Sequence, residues 1–431
     1  MQRITSSAMA NFVTGLRCVF CGSQFSTRVG YTCPHCGITG ILDVQYDYPA
    51  IRKVLTRRKL AARADFTHWR YRELLPIGNG AALPALAVGW TPIVAAERLA
   101  KHIGVRELLI KDDGRNPTGS LKDRASSLGV VKAVEKRRKI IACASTGNAA
   151  SSLAGMAASM GLRSAIFVPQ RAPEPKVTQL LIFGATVLRV GGSYEQAYDL
   201  CQQSCERWDW YNRNCAINPY LVEGKKTVGL EIAEQLGWTP PEWLAMSVGD
   251  GCTIAGAWKA FREFKSLGLI SRTPRMLGVQ AAGAAPVTEA FRSHGAIKPI
   301  EPKTIADSIA VGVPRNWKKA VMAIEESGGT MINVEDDEIL EAMNYTGRLT
   351  GVFAEPAAAT AIAGLKRALR EGMVPRSCRA LAVVTGSGLK DVRAAQQAVK
   401  QPFEVPPDGR GLEDILARQG LIPAAHSVAT S

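Results

Sequence analysis

Long hydrophobic runs are absent from this chain of 431 residues: no apolar stretch reaches the roughly 18 residues that a membrane span needs. The segment before residue 17 has no apolar core and a single arginine. We therefore expect no secretory signal and no membrane partner, although a short organellar presequence stays open. The cytoplasm is the expected compartment.

Acidic residues are outnumbered, 38 to 53, which gives a formal net charge of +15. Such a surplus fits either nucleic-acid binding or a solvated basic surface with sites for anionic ligands. Apolar residues separate the charges of the densest cluster, as in a surface helix, and no DNA- or RNA-binding motif accompanies it. We expect no nucleic-acid partner. The cluster consists of Arg52, Lys53, Arg57, Arg58, Lys59 and Arg63.

Four of the ten cysteines have the spacing of metal ligands. Cys18 and Cys21 form one C-x2-C pair, Cys33 and Cys36 form another, and a glycine follows each pair. Four thiolates at this spacing predict a tetrahedral Zn²⁺ site, and a full set of four leaves no open position for catalysis. We interpret the site as structural; the alternative is a metal-free knuckle.

Short apolar runs alternate with helical patterns from about residue 86 to 400. This alternation predicts an α/β fold with parallel or mixed sheets covered by helices. Beyond about residue 401 we expect a linker, a short helix near Leu412–Gln419 and a frayed end. The predicted strands are Leu108–Lys111, Ile140–Ala144, Ser164–Val168, Thr186–Val190, Trp243–Val248, Arg275–Val279 and Leu381–Val384.

The most informative stretch is Asn-Pro-Thr-Gly-Ser-Leu-Lys-Asp-Arg, residues 116–124. Its first residues favour a turn, and Lys122 stands where a helix from about residue 123 to 134 begins. A lysine amine in this position suits Schiff-base chemistry with an aldehyde cofactor. On this stretch alone, an ordinary surface lysine at a helix start remains the better interpretation.

This stretch resembles the cofactor-lysine motif of threonine synthases and, more broadly, of fold type II pyridoxal-phosphate enzymes. Further segments resemble the same family in the same order along the chain. They are Trp69–Leu75, Trp90–Ile93, Ala144–Asn148, Val248–Gly256, Glu355–Pro356 and Val384–Asp391.

The resemblance implies a two-domain, tryptophan synthase β-like fold with pyridoxal phosphate in the cleft and a homodimeric assembly. Residues 1–45 would form a zinc-ribbon-like module, and residues 46–124 with 226–400 the large cofactor-binding domain. Residues 125–225 would form the small domain and residues 401–431 a C-terminal tail.

The resemblance also assigns site residues. Lys122 would carry the cofactor and move protons, and Asn148 would bond the ring hydroxyl. Thr385, with Ser387 as the alternative, would contact the pyridine nitrogen. The cofactor phosphate would lie on the glycine turn of Gly249, Asp250, Gly251, Cys252 and Thr253. The amino-acid substrate would be held by Ser120, Ser145, Thr146 and Gly147.

Two of these motifs can also be interpreted from their residues alone, without the resemblance. A glycine turn that opens a helix suits a phosphate, because backbone N–H groups and the helix dipole face the anion. The acidic Asp250 within it should point away or cap the helix. Ser145 and Thr146 could instead be plain helix caps.

Threonine synthase chemistry, conversion of O-phospho-L-homoserine and water to L-threonine and phosphate, is the leading assignment. The family's three substrate-phosphate residues are, however, replaced here by Cys215, Ala216 and Leu221. Their loss would remove about 3–6 kcal/mol, unless Lys225, Lys226 or another base compensates.

The alternatives are a threonine or serine dehydratase, a diaminopropionate ammonia-lyase-like enzyme and a cysteate-synthase-like enzyme. A non-catalytic or nucleic-acid-binding paralogue is a different class altogether. The lysine at position 122 and the glycines of the phosphate turn argue against it.

Overall fold

The structure, a computed structural model, describes residues 12–170, 172, 174–214 and 217–423. Two of the substituted substrate-phosphate positions, Cys215 and Ala216, lie outside the described residues. Leu221 lies within them, at the start of a long helix.

Strands fall into an N-terminal group and two groups that alternate with helices. The strands are β1 (Val13–Cys18), β2 (Gln24–Phe25), β3 (Leu42–Tyr46), β4 (Ile93–Ala95), β5 (Glu107–Asp112), β6 (Ile140–Ala144), β7 (Arg163–Pro169), β8 (Thr186–Val190), β9 (Tyr211–Asn212), β10 (Trp243–Ser247), β11 (Arg275–Ala281), β12 (Thr330–Val334) and β13 (Arg379–Val384).

Most helices follow a strand and cover a face of its sheet. The α-helices are α1 (Tyr48–Val54), α2 (Arg57–Ala61), α3 (Glu97–Ile103), α4 (Lys122–Glu135), α5 (Asn148–Ser159), α6 (Glu174–Ile182), α7 (Tyr194–Arg207), α8 (Pro219–Gln235), α9 (Cys252–Ser266), α10 (Pro286–Ser293), α11 (Trp317–Ser327), α12 (Asp336–Thr350), α13 (Pro356–Arg370), α14 (Val392–Gln397) and α15 (Leu412–Arg418). Short 3₁₀ segments include His68–Leu74 and Asp113–Arg115.

Three sheets organise the chain. A small antiparallel sheet has the order β2-β1-β3, and a six-stranded sheet has the order β12-β11-β10-β13-β5-β4. The latter is parallel except for β4, which runs antiparallel to β5. A parallel four-stranded sheet, β8-β7-β6-β9, is formed entirely from the chain between β5 and β10.

The predicted α/β architecture is confirmed, and each of the seven predicted strands is present. The central strands are almost entirely buried, with Trp243–Ser247 buried at every residue, as parallel strands covered on both faces must be. Sequence reasoning did not predict the three strands of the N-terminal sheet, β1, β2 and β3, and in the two larger sheets it missed β4, β9 and β12. The last three have a common cause. Two of these have only two or three residues, too few for a recognisable apolar run, and β12 is a short run directly after paired glycines.

The N-terminal sheet packs on the remainder of the chain through β3. Asp43 forms ion pairs at 3.0 Å with Lys259 of α9 and with Lys319 of α11. These lysines hold the pKa of Asp43 well below its ordinary value against the opposing effect of burial. The small sheet is therefore tied electrostatically to the helices behind the six-stranded sheet.

Part of the basic cluster has a structural role. Arg52 donates to the carbonyl oxygen of Ser266, the last residue of α9, and Arg57 Nε donates to that of Leu269 at 2.9 Å. Cations at a helix C-terminus donate hydrogen bonds to its terminal carbonyls and are attracted to the negative end of its dipole. Within the described ranges, no helix combines the length and apolar character needed to cross a lipid bilayer.

Candidate active site

Lys122 is the first residue of α4, and the turn before it is strapped to the end of β13. Leu121 N–H donates to Thr385 O at 2.8 Å, and Ser387 N–H donates to Gly119 O at 2.9 Å. A short antiparallel bridge pairs Ser120 with Gly386. The helix start that carries the lysine is thus fixed beside the C-terminal end of a central strand.

Buried charges anchor the same helix start from behind. Asp123 accepts hydrogen bonds from the Thr118 N–H at 2.7 Å and from its hydroxyl at 2.6 Å. The fully buried Arg124 pairs with Asp113 at 2.7 Å and with Glu231 at 2.5 Å. Because charged partners in low dielectric tolerate little displacement, these contacts hold the backbone around Lys122 in one position.

Asn148 opens α5 and is bonded to an acid from another part of the chain. Its Nδ2 donates to both carboxyl oxygens of Glu355, at 2.8 and 2.9 Å, and to Ser308 Oγ at 3.2 Å. Burial raises the pKa of Glu355, and the Asn148 hydrogen bond and the nearby Lys122 charge offset part of that rise. The amide of Asn148 is therefore oriented by Glu355.

The glycine turn joins β10 to α9. Gly251 is the N-cap of α9 at φ +91°, and it provides no side-chain cap. A Cβ there would lie 2.8 Å from the Ala320 Cβ, and one at Gly249 would lie 3.0 Å from the Ile309 Cα. The first N–H groups of this 15-residue helix are thus arranged for an anion. Asp250 Oδ1 accepts from the Arg315 N–H at 3.3 Å.

These elements meet on one cavity of about 490 Å³. Its lining includes most of the residues that the sequence singled out. They are Lys122, Ser145, Thr146, Gly147, Asn148, Gly249, Asp250, Gly251, Cys252, Thr253 and Thr385.

Two predicted site residues do not line this cavity. Ser120 is fully buried, and its hydroxyl has no hydrogen-bond partner among the described residues. Ser387 caps the 3₁₀ turn that follows it, accepting from the Leu389 N–H at 3.4 Å. Both lie where residues 119–121 are hydrogen-bonded to residues 385–387, the contact that positions Lys122.

The cavity also contains residues that sequence reasoning did not assign. Glu355 lies in a quoted motif but received no role, and nothing in the local sequence reveals its contact with Asn148. The basic residues Arg213, Lys225 and Arg315 also line the cavity. Of these, only Lys225 was named from sequence, as a possible compensating base.

The four N-terminal cysteines converge. Their sulfur atoms all lie within 4.8 Å of one another, with Cys18–Cys36 at 3.9 Å and Cys21–Cys33 at 3.7 Å. Four sulfurs bound tetrahedrally to zinc at about 2.3 Å would be about 3.8 Å apart. Hydrogen bonds with Ser23 lower the pKa of the Cys21 thiol to about 5. The cluster has the geometry of a four-thiolate metal site.

The sequence profile of a family described as pyridoxal-phosphate dependent enzymes matches residues 85–386, which contain every residue of the cavity. The chain belongs to this family. The lining of the cavity fits the cofactor, because a lysine at a helix start and a glycine turn at an uncapped helix N-terminus share one space.

Among curated relatives, this pyridoxal-phosphate-dependent enzyme is 40% identical to threonine synthase of Methanocaldococcus jannaschii. The match covers 93% of this chain and 98% of that protein. It is also 40% identical to threonine synthase of a Synechocystis strain, over 76% of this chain and 84% of the relative. The Mycobacterium tuberculosis threonine synthase is 37% identical, over 78% and 92%. The enzyme is thus threonine-synthase-like along most of its length.

Solved structures share its fold at lower sequence identity. The processed form of threonine deaminase isoform 2 from Solanum lycopersicum superposes with a TM-score of 0.63 at 22% identity, over 72% of this chain and 88% of that one. The L-serine ammonia-lyase of Rhizomucor miehei also gives 0.63, at 17% identity, over 72% and 96%. The predicted fold type II architecture is confirmed.

Proposed function

We propose that this enzyme catalyses elimination or replacement at the side chain of an amino acid. Conversion of O-phospho-L-homoserine and water to L-threonine and phosphate is the leading reaction. The observation that supports it best is the meeting of Lys122, Asn148 and the glycine turn on one cavity, in a chain similar to threonine synthases. Dehydration of threonine or serine, ammonia loss from diaminopropionate and a cysteate-synthase-like replacement are the alternatives.

Pyridoxal phosphate, when bound, would supply an electron sink for the carbanion formed at the substrate Cα. Lys122 would hold it covalently through Nζ, and the N–H groups at Gly249–Thr253 would bind its phosphate. Asn148, oriented by Glu355, would contact the ring hydroxyl. Thr385 would face the ring nitrogen, with Ser387 as the alternative.

Lys122 Nζ would also accept the proton from the substrate Cα and return it later in the reaction. This amine is suited to the task because the strap to β13 and the buried Arg124 network restrict the motion of its backbone. Ser145, Thr146 and Gly147, between β6 and α5, would bind the substrate carboxylate. Ser120 belongs to the segment that is hydrogen-bonded to the end of β13, so it would position Lys122 from outside the cavity.

We further propose the domain division expected from the resemblance: module 1–45, large domain 46–124 with 226–400, small domain 125–225 and tail 401–431. The separate four-stranded sheet supports it. The cysteine cluster supports structural zinc in the module. A homodimer and a cytoplasmic location remain predictions.

The decisive experiment for the reaction is a substrate panel on purified, cofactor-loaded enzyme. O-phospho-L-homoserine, L-threonine, L-serine and 2,3-diaminopropionate would be compared for release of phosphate, ammonia, oxo acid and threonine. Threonine and phosphate appearing together would support the leading reaction. Ammonia and oxo acid from a phosphate-free amino acid would replace it with a lyase assignment.

Lys122→Ala tests the cofactor lysine. We expect loss of the visible absorbance of the lysine-bound cofactor and at least about a 10²–10⁴-fold fall in turnover, because the proton-transfer group is also removed. Lys101→Ala on the exposed face of α3 is the matched control. An unchanged visible spectrum in Lys122→Ala would refute the assignment.

A further inference from the structure

An arginine is buried in the wall of the cavity without an acidic partner. Arg213 follows β9 and is 1% exposed, and its N–H donates to Ala142 O at 2.8 Å. Its Nε and Nη2 both donate to Ser126 Oγ, at 3.1 and 3.0 Å. Among the described residues, no carboxylate forms an ion pair with it.

Such an arrangement favours an anionic ligand. A guanidinium group has five N–H donors, and one hydroxyl oxygen serves two of them. A buried cation without a counter-charge is costly. Glu195, Asp250, Asp307 and Glu355 line the same cavity, and among the described residues none of them forms an ion pair with Arg213. The missing negative charge is therefore best supplied by a bound molecule.

The position of this cation relative to Lys122 indicates which part of a ligand it would meet. Ser126, which holds the guanidinium, lies four residues after Lys122 on α4. It therefore lies one helical turn away, about 5–6 Å between Cβ atoms, on the same face. The glycine turn and the Ser145–Gly147 loop offer separate anion sites for the cofactor phosphate and the substrate carboxylate. A third anion, on the substrate side chain, would reach Arg213.

The buried Leu221 is a neighbour of the Arg213 side chain. A Cβ added at Gly129 of α4 would lie 3.1 Å from Leu221 Cδ2 and 3.8 Å from Arg213 Cγ, so the two side chains flank one spot. Leu221 is fully buried and does not line the cavity. It packs beside the aliphatic part of the arginine, and Arg213 itself lines the cavity.

Of the two lysines of α8, Lys225 lines the cavity and Lys226 does not. Lys226 forms ion pairs with Glu223 at 2.5 Å and with Glu263 at 2.9 Å. Lys225 lies one turn beyond Leu221 on the same face of α8. Lys225 and Arg213 are therefore two basic residues of the same cavity wall.

We propose that Arg213, assisted by Lys225, binds an acidic group on the substrate side chain, such as a phosphate or sulfonate. The substrate would then be an amino acid with an anionic side chain, and the cationic site lost at position 221 would have been rebuilt from position 213. This inference rests on the proposed function, and it selects the replacement reactions of acidic amino acids over dehydration of threonine or serine.

The test uses the cofactor-loaded enzyme, the variant Arg213→Leu and the double variant Arg213→Leu with Leu221→Arg. Arg163→Leu, an exposed arginine on the same sheet, is the matched control. We expect Arg213→Leu to lower kcat/KM for O-phospho-L-homoserine about 10- to 100-fold, mainly through KM, as for a lost charged hydrogen bond. Values for L-serine should stay near wild type, and the double variant should recover part of the loss.

Three results would overturn the proposal. An equal loss for acidic and neutral amino acids would indicate a purely structural arginine, and recovery in Arg213→Lys would not follow. A higher cofactor dissociation constant with unchanged selectivity would assign Arg213 to the cofactor phosphate. Wild-type kinetics in Arg213→Leu would leave it without a role.

Inorganic phosphate separates this inference from the reaction proposed above. In the wild type it should compete with amino-acid binding, followed through the visible spectrum, and Arg213→Leu should weaken that competition about 10-fold or more. Competition without product formation would keep the anion site while the proposed reaction fails. Product formation with phosphate competition unaltered by Arg213→Leu would refute the anion site alone.

Discussion

Glu355 shows how a single residue can be central to the site and invisible in the sequence. Its carboxyl group receives both hydrogen bonds from Asn148, which lies 207 residues earlier in the chain. It also closes against Gly386, where any side chain would collide with its carboxyl oxygens. Resemblance could suggest a ring contact for Asn148, but the residue that orients its amide became evident only when α5 and α13 were seen to meet.

His68 should make stability depend on pH in acid. Burial, with a further effect of the Arg124 charge, lowers its pKa from 6.5 to about 3, and its Nε2 lies 3.1 Å from Ser127 Oγ. The unfolded chain therefore binds a proton below pH 6.5 that the folded chain accepts only near pH 3. Stability supported by neutral His68 is complete above pH 6.5 and falls as the pH drops toward 3.

The expected slope is about 1.4 kcal/mol per pH unit for one proton. In His68→Gln this contribution should disappear, so that the free energy of unfolding, measured with denaturant between pH 4 and 6, changes less steeply. His294→Gln, at an exposed position, is the control. Parallel curves for wild type and His68→Gln would contradict the lowered pKa.

At the scale of elements, the start of α9 depends on a glycine that meets two demands. Gly251 has φ +91° and close neighbours, whereas Gly268, after the same helix, has φ +76° and open space around it. A Cβ in the left-handed region costs about 1–2 kcal/mol. Gly268→Ala should lose that amount, while Gly251→Ala should lose more, because Ala320 and the Asn316 carbonyl must also move.

The comparison is made by denaturant unfolding and by titration with pyridoxal phosphate. Only Gly251→Ala should weaken cofactor binding, since it displaces the N–H groups at the helix start. Equal stability losses in the two variants would contradict the packing argument, whereas unchanged cofactor affinity in Gly251→Ala would show that the turn is not the phosphate site.

Elements were predictable where the pattern was long enough. Runs such as Ile140–Ala144 and Thr186–Val190 coincide with their observed strands, and the helix expected from residue 123 begins one residue earlier. β9 consists of Tyr211 and Asn212 alone and exists because β6 is beside it. A strand of two residues has no periodicity to detect, so only its pairing defines it.

At the scale of the whole molecule, the cysteine module should depend on metal. Gly40 leaves room for the cluster, since a Cβ there would lie 2.6 Å from the Cys36 Cβ and 2.7 Å from the Cys33 Cβ. We expect a single zinc ion per chain by elemental mass spectrometry and a lower Tm with a strong chelator, because metal binding supplies folding energy to such small units.

Cys33→Ser should lose the metal, whereas Cys378→Ser, at a buried position far along the chain, should retain it. A chain without metal whose Tm is insensitive to chelator would instead support a metal-free knuckle. Because Asp43 of the module pairs with Lys259 of α9, chelation should also reduce protection of α9 in hydrogen exchange.

The amino-acid sequence by itself determined the alternation of strands and helices, the family and the lysine at the start of α4, because each is written in residues that are neighbours along the chain. It also determined the spacing of the four cysteines. Only the tertiary structure decided that Arg213 is a buried cation at the cavity, that Lys226 forms ion pairs with two glutamates and that Asn148 donates hydrogen bonds to Glu355. Burial and charge pairing depend on which surfaces pack together, and residues far apart in sequence carry no local pattern that specifies it.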